Sequence, residues 1–183
     1  MYMNRRKFLS ISTSGLLGLS AGCLSSSDPQ DSNSDIVFSN LLSSYEDFQS
    51  NNTTINELKV EIKDGIETNS YSELNKILTE LTVTLSDMES NLKSIEEKYT
   101  ILKDRDQELS LIERSLSIMS RALSELNEYI NLIQQSIEYR INSQSQSAFL
   151  SKRDASIYYS KYRNDIELLP NPETIQSSYY DRY

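Results

Sequence analysis

Between Tyr71 and Leu102 one apolar series falls at Tyr71, Leu74, Leu78, Leu81, Leu85, Met88, Leu92, Ile95, Tyr99 and Leu102. The steps alternate between three and four residues, which fills every a and d position of a heptad and predicts one unbroken helix. At about 1.5 Å per residue the stripe is about 50 Å long, and other helices must cover it. A second series follows at Leu109, Ile112, Leu116, Met119, Leu123, Leu126, Ile130, Ile133 and Ile137. The step from Leu102 to Leu109 breaks the register, so either a stammer overwinds one long helix or the chain reverses. Reversal is favoured, because Asp104 can cap a new helix with Gln107 at its third position and the two segments match in length.

The second series carries an additional strip at Leu111, Ile118 and Leu132, with Ala122 and Tyr129 beside it. At about 100° per residue this strip lies about 110° round the helix from the first, so the helix is expected at the centre of a bundle, covered on two sides. Glu125 falls on the same strip. A carboxylate buried there would need a partner, such as a lysine or arginine of the following helix.

Two flanking helices complete the pattern. The first is expected from Asp35, with Phe38, Leu41, Tyr45, Phe48, Ile55, Ile62 and Ile66 facing inward. Thr54 with Glu57 makes a capping pattern at which it breaks or restarts. Gly65 and Asn69 supply stop signals, and Ser70 with Glu73 forms a capping box that opens the next helix. The last helix follows a reversal at residues 142–146 and presents Ala148, Phe149, Ala155, Tyr158, Tyr162, Ile166 and Leu169, until Pro170 and Pro172 end it. Its Lys152, Arg153, Lys161 and Arg163 are placed to pair with acidic faces of the first two helices. The tail, with Tyr179, Tyr180 and Tyr183, is either disordered or docked on the bundle. The fold class is therefore all-α, an antiparallel up-and-down helical bundle of three to four long, coiled-coil-like helices. Residues 1–22 read as a leader, 23–34 as a tether, 35–169 as the bundle and 170–183 as a Tyr-rich tail.

Composition agrees with an elongated bundle: only 37% of the 183 residues are hydrophobic, with four Gly and three Pro. The chain has no His and no Trp, which removes His-based catalysis and His-bearing metal sites. Net charge is −9 and becomes −12 if Arg5, Arg6 and Lys7 leave with the leader. An acidic surface repels phosphate backbones, so no nucleic-acid partner is expected. A single Cys allows no internal disulfide.

The leader has a basic start, a mild apolar run to Ala21 and small residues before Cys23, the parts of an export signal too short to span a bilayer. Its Arg5-Arg6-Lys7-Phe8-Leu9 resembles the twin-arginine (Tat) motif, with Arg5, Arg6, Phe8 and Leu9 at the matching positions; Asn4 and Ser10 depart from its outer positions. Ser20-Ala21-Gly22-Cys23 resembles a lipobox, with Ser20 where Leu is usual. Together they resemble the leaders of lipoproteins from salt-loving archaea. The resemblance covers the leader alone. It implies export of the folded protein through the Tat translocase, lipidation of Cys23, and attachment to the extracytoplasmic face of the cell membrane. Two lipid chains, at about 0.8 kcal/mol per buried CH₂, suffice for stable anchoring. Residues 24–34 are polar, broken by Pro29 and without periodicity, as a tether requires.

Little in the chain points to a reaction. Glu96, Glu97, Asp104, Asp106 and Glu108 are dense but lack the loop spacing of a calcium site and read as a solvated face. No serine shows a base partner, and glycine-rich phosphate loops are missing. Asn51 and Asn52 each begin a sequon that an exported protein can glycosylate. No catalytic residue, cofactor or metal is expected. The expected role is a membrane-anchored structural or protein-interaction module of the cell surface with an unknown protein partner. The alternative is a small-solute-binding or sensing lipoprotein associated with a transporter or receptor.

Overall fold

The computed structural model describes residues 29–68, 70–104 and 109–181, with side chains from residue 33 onward. Five helices follow one another among them: α1 (Pro29–Thr68), α2 (Tyr71–Lys103), α3 (Ser110–Ile141), α4 (Ser145–Glu167) and α5 (Pro172–Tyr180). The first four make an all-α up-and-down bundle, and α5 closes one end of it.

The chain reverses between α2 and α3. Leu78 and Thr82, early in α2, line one groove with Ile137 and Ile141 at the end of α3, while Lys103 reaches Glu113 at 3.6 Å at the other end. Neighbouring helices are therefore antiparallel, and the seams of α2 and α3 turn into a common core. Leu74, Leu81, Met88 and Leu102 are completely buried, as are Met119, Ala122 and Leu126 on α3. The additional strip of α3 is covered as expected: Ile118, Ala122 and Tyr129 are buried and Leu111 and Leu132 half-buried.

The pairs α1/α2 and α3/α4 are the closest, each for a local reason. At Gly65 of α1 an added Cβ would meet Leu74 Cδ2 at 2.8 Å, so the missing side chain lets the helix ends touch. On α4 the inward seam is small, Ala148, Ser151 and Ala155, and Ser136 Oγ of α3 donates to the Ala148 carbonyl at 2.8 Å. The backbones of α1 and α4 stay further apart. Tyrosines span that gap: Tyr162 donates to Asn52 Oδ1 at 2.8 Å, and Tyr159 donates to Asn56 Oδ1.

Several sequence expectations are corrected here. The first helix starts at Pro29, six residues before Asp35, so residues 29–34 of the expected tether belong to α1. Proline suits a first helical position, having no N–H to satisfy and a φ already fixed for the helix. No break occurs at Thr54, because Phe48 and Ile55 are seven residues apart and keep one buried face. Ser70 does precede α2, but its side chain makes no cap; its carbonyl accepts from the Glu73 and Leu74 N–H groups, and its own N–H closes α1 by donating to the Gly65 carbonyl at 3.1 Å. Asp104 terminates α2 instead of opening α3, which begins after Leu109, and Gln107 lies outside the described residues.

On α4, Phe149 is 65% exposed, and Tyr159, not Tyr158, is the buried ring. The small seam sets the phase of that helix and leaves Phe149 on its flank. Among the described residues no basic side chain of α4 forms an ion pair with α1 or α2: Arg153 contacts Asp154, Arg163 contacts Glu167, and Lys161 lies over Tyr158 at 4.6 Å.

The tail docks. Asn171 caps α5 by accepting from the Thr174 N–H at 2.7 Å, with Pro172 at the first turn. Tyr179 stacks on Phe38 with ring centroids 3.8 Å apart, and Ile175 is fully buried. Tyr45 donates to the Pro170 carbonyl at 2.7 Å, and burial pushes its hydroxyl up to about 12, so it remains a donor at neutral pH. Tyr183 lies outside the described residues.

Candidate functional site

Past Tyr159, the gap between α1 and α4 is no longer bridged by rings. There α4 presents Ser156, Ser160 and Lys152, and a groove of about 270 Å³ opens. Its floor is apolar, with Ile62 and Ile66 of α1 and Tyr129 and Ile133 of α3; Lys59 and Lys63 of α1 and Lys152 of α4 contribute the charge. Lys59 Nζ lies 4.9 Å from the centroid of the Tyr159 ring, a cation–π contact that orients one ammonium along the wall. Among the described residues no carboxylate lines the groove, although the chain has 27 acidic and 18 basic residues. None of the ion pairs among the described residues uses Lys59, Lys63 or Lys152. Burial raises the Tyr129 and Tyr159 hydroxyls, so both stay neutral at physiological pH.

A second polar cluster lies between α3 and α4. Arg121 forms a two-pronged ion pair with the buried Asp165, and this contact, with the attraction of that charge, raises the guanidinium further. Glu125 sits beside them, and its buried Oε2 is the carboxyl oxygen that makes no hydrogen bond among the described residues. Its carboxyl is raised above the usual range, first by burial, then by the charge of Asp165 and by a hydrogen bond with that side chain, while Lys161 and Arg121 act the other way. The basic partner expected from the last helix is thus present as Lys161 only at a distance. Asp165, which the sequence reading missed, takes the arginine.

Ser94 has a basic neighbour after all: Lys98 donates to Ser94 Oγ, and Ser94 and Ser44 share a hydrogen bond of 3.0 Å across α1 and α2. Both serines lie in helix interiors, where backbone N–H groups are already engaged and provide no oxyanion donors. The cluster ties two helices together.

The remaining sequence-derived positions separate from these features. Arg5, Arg6, Phe8, Leu9 and Cys23 lie outside the described residues. Asn51 and Asn52 are half-buried within continuous α1, not in the surface loop that sequons favour. Asn51 faces a polar cleft with Asp47 and Asp87, and the Asn52 carboxamide is engaged by Tyr162. Glu96, Glu97 and Asp104 are exposed, whereas Asp106 and Glu108 lie outside the described residues. Among the described residues no group of acidic or thiol side chains is arranged to hold a metal, and no helix is long and apolar enough to cross a membrane. No family model, curated protein or solved structure matches the chain.

Proposed function

We propose that the protein is a lipid-anchored, extracytoplasmic helical bundle that serves as an interaction module of the cell surface. The leader supports the address. The observation that carries the interaction is a set of exposed apolar side chains on one side of α4 and at its C-cap: Leu150, Ile157 and the capping Leu168 are 40%, 50% and 55% exposed. Their spacings of seven and eleven residues return them to the same side of a helix, where Asp154, Lys161 and Asn164 stand between them, so the face is mixed apolar and polar. Exposed apolar side chains set among polar ones suit a contact with another protein. In this reading the unknown partner docks along α4 while a lipid on Cys23, placed there after Tat export, holds the bundle to the membrane. Five residues separate Cys23 from Pro29, and a span of that length reaches at most about 20 Å.

The test is intact mass and membrane partitioning in a native-like host, comparing the wild type with Cys23→Ser. The wild type is expected in the membrane fraction, shortened by the leader and heavier by a lipid, and the variant unprocessed or released. Equal behaviour with an intact N-terminus would refute the anchor. A photo-cross-linker at position 157 should give a discrete adduct in the same cells, and its absence would count against the α4 contact.

The alternative, a bundle that binds or senses a small solute, is favoured by one feature: the groove between α1 and α4 has convergent polar groups over an apolar floor.

A further inference from the structure

The three lysines around the α1/α4 groove belong to a chain with net charge −9, and among the described residues the lining contains no acid to balance them. Like charges held on two helices around one concavity repel, and the repulsion is relieved by an anion between them. The floor beneath is built from Ile62, Ile66 and Ile133. Water gains little there, whereas an apolar group is stabilised by leaving water to cover that floor. Charge above and hydrocarbon below specify an amphipathic ligand. Its volume, about 270 Å³, lies just under the roughly 300–1,000 Å³ of ordinary ligand sites, which sets the size as that of a small molecule.

We infer that this groove binds a small amphipathic anion, with a carboxylate or phosphate head held by Lys59, Lys63 and Lys152 and an apolar body laid on the isoleucine floor. The inference rests on the solute-binding alternative above and names its ligand class. Such a head could come from a free solute or a membrane lipid. Lys59 is thirty residues along α1 from Pro29, about 45 Å, at the end of the bundle remote from the proposed anchor. A free solute is therefore the source.

The test is calorimetric titration of the full chain at constant ionic strength with hexyl phosphate and hexanoate, against inorganic phosphate as head alone and hexanol as body alone. Saturable one-to-one binding of a head-plus-body probe is expected, at least tenfold tighter than either half. Combined Lys63→Gln and Lys152→Gln should weaken it at least tenfold while the melting temperature stays unchanged, since Lys63 is exposed and Lys152 half-buried, and neither joins an ion pair among the described residues. No saturable binding, or binding indifferent to the lysine changes, would overturn the inference. Binding of vesicles containing anionic phospholipid that displaces hexyl phosphate would overturn the free-solute source. The titration does not depend on Cys23, so its failure is distinguishable from failure of the anchor.

Discussion

Residues whose side chains, or lack of one, set local geometry give the sharpest tests. Gly65 lies where α1 and α2 touch, and Leu74, the side chain that an added methyl would meet, is fully buried. Gly65→Ala gains about 1 kcal/mol of helix propensity. Overpacking a filled core typically costs 1–3 kcal/mol, roughly enough to exceed that gain. A net loss of about 1 kcal/mol is expected in denaturant titration; stabilisation would show that the contact is looser. Glu125 makes a pH-dependent test. Its carboxyl is raised on folding, chiefly by burial. Its contribution to stability is complete below the ordinary glutamate value, about 4.3, and is lost as pH rises through the higher folded value. Glu125→Gln should therefore melt above the wild type at pH 7, with the gap closing on acidification towards pH ~4. A difference independent of pH would contradict this account of the site. Asp165, buried against Arg121, was not legible in sequence because its position among α4 residues acquires meaning only once the small seam has set the helix phase.

At the level of elements, the heptads were legible and the joints were not. The seams of α2 and α3 followed from periodicity because burying a stripe is the same problem whatever the partner. Caps are decided by one or two competing hydrogen bonds, so Ser70 and Asp104 mark ends without acting as the spacing suggested. The α3/α4 joint shows another solution: Ser143 takes φ 60°, and the Gln144 and Ser143 N–H groups donate to the Tyr139 and Arg140 carbonyls at 2.7 and 3.1 Å. This closure normally employs glycine at the left-handed position. Ser143→Gly should stabilise the protein by about 1 kcal/mol, and an unchanged or lower midpoint in urea would contradict that. For α5 the decisive contact is Tyr179 on Phe38. Tyr179→Ala should cost about 3 kcal/mol, unless α5 first undocks and limits the loss. Protease clipping within residues 170–181 in the variant, absent from the wild type, would report that undocking.

The whole molecule is a bundle of two close helix pairs, with a tyrosine-bridged side that opens into the lysine groove. An all-α antiparallel architecture could be read from the sequence, because a chain with two full-length seams and few turn residues has few other ways to bury them. The groove could not. It arises where Tyr159 gives way to serines on one helix while lysines recur on another, a juxtaposition across a hundred residues that no local pattern encodes. The proposed role joins these parts: an anchor near one end, a mixed apolar and polar face on α4 and a charged groove towards the opposite end. A single reporter cysteine on the lipidated protein, whose own Cys23 thiol is then consumed, tests that arrangement in vesicles carrying a headgroup quencher. A fluorophore at Ile36 should be strongly quenched and one at Asp64, about 42 Å further along α1, should remain bright. Equal quenching at both positions would contradict an end-on tethered bundle, and brightness at both would contradict the tether itself.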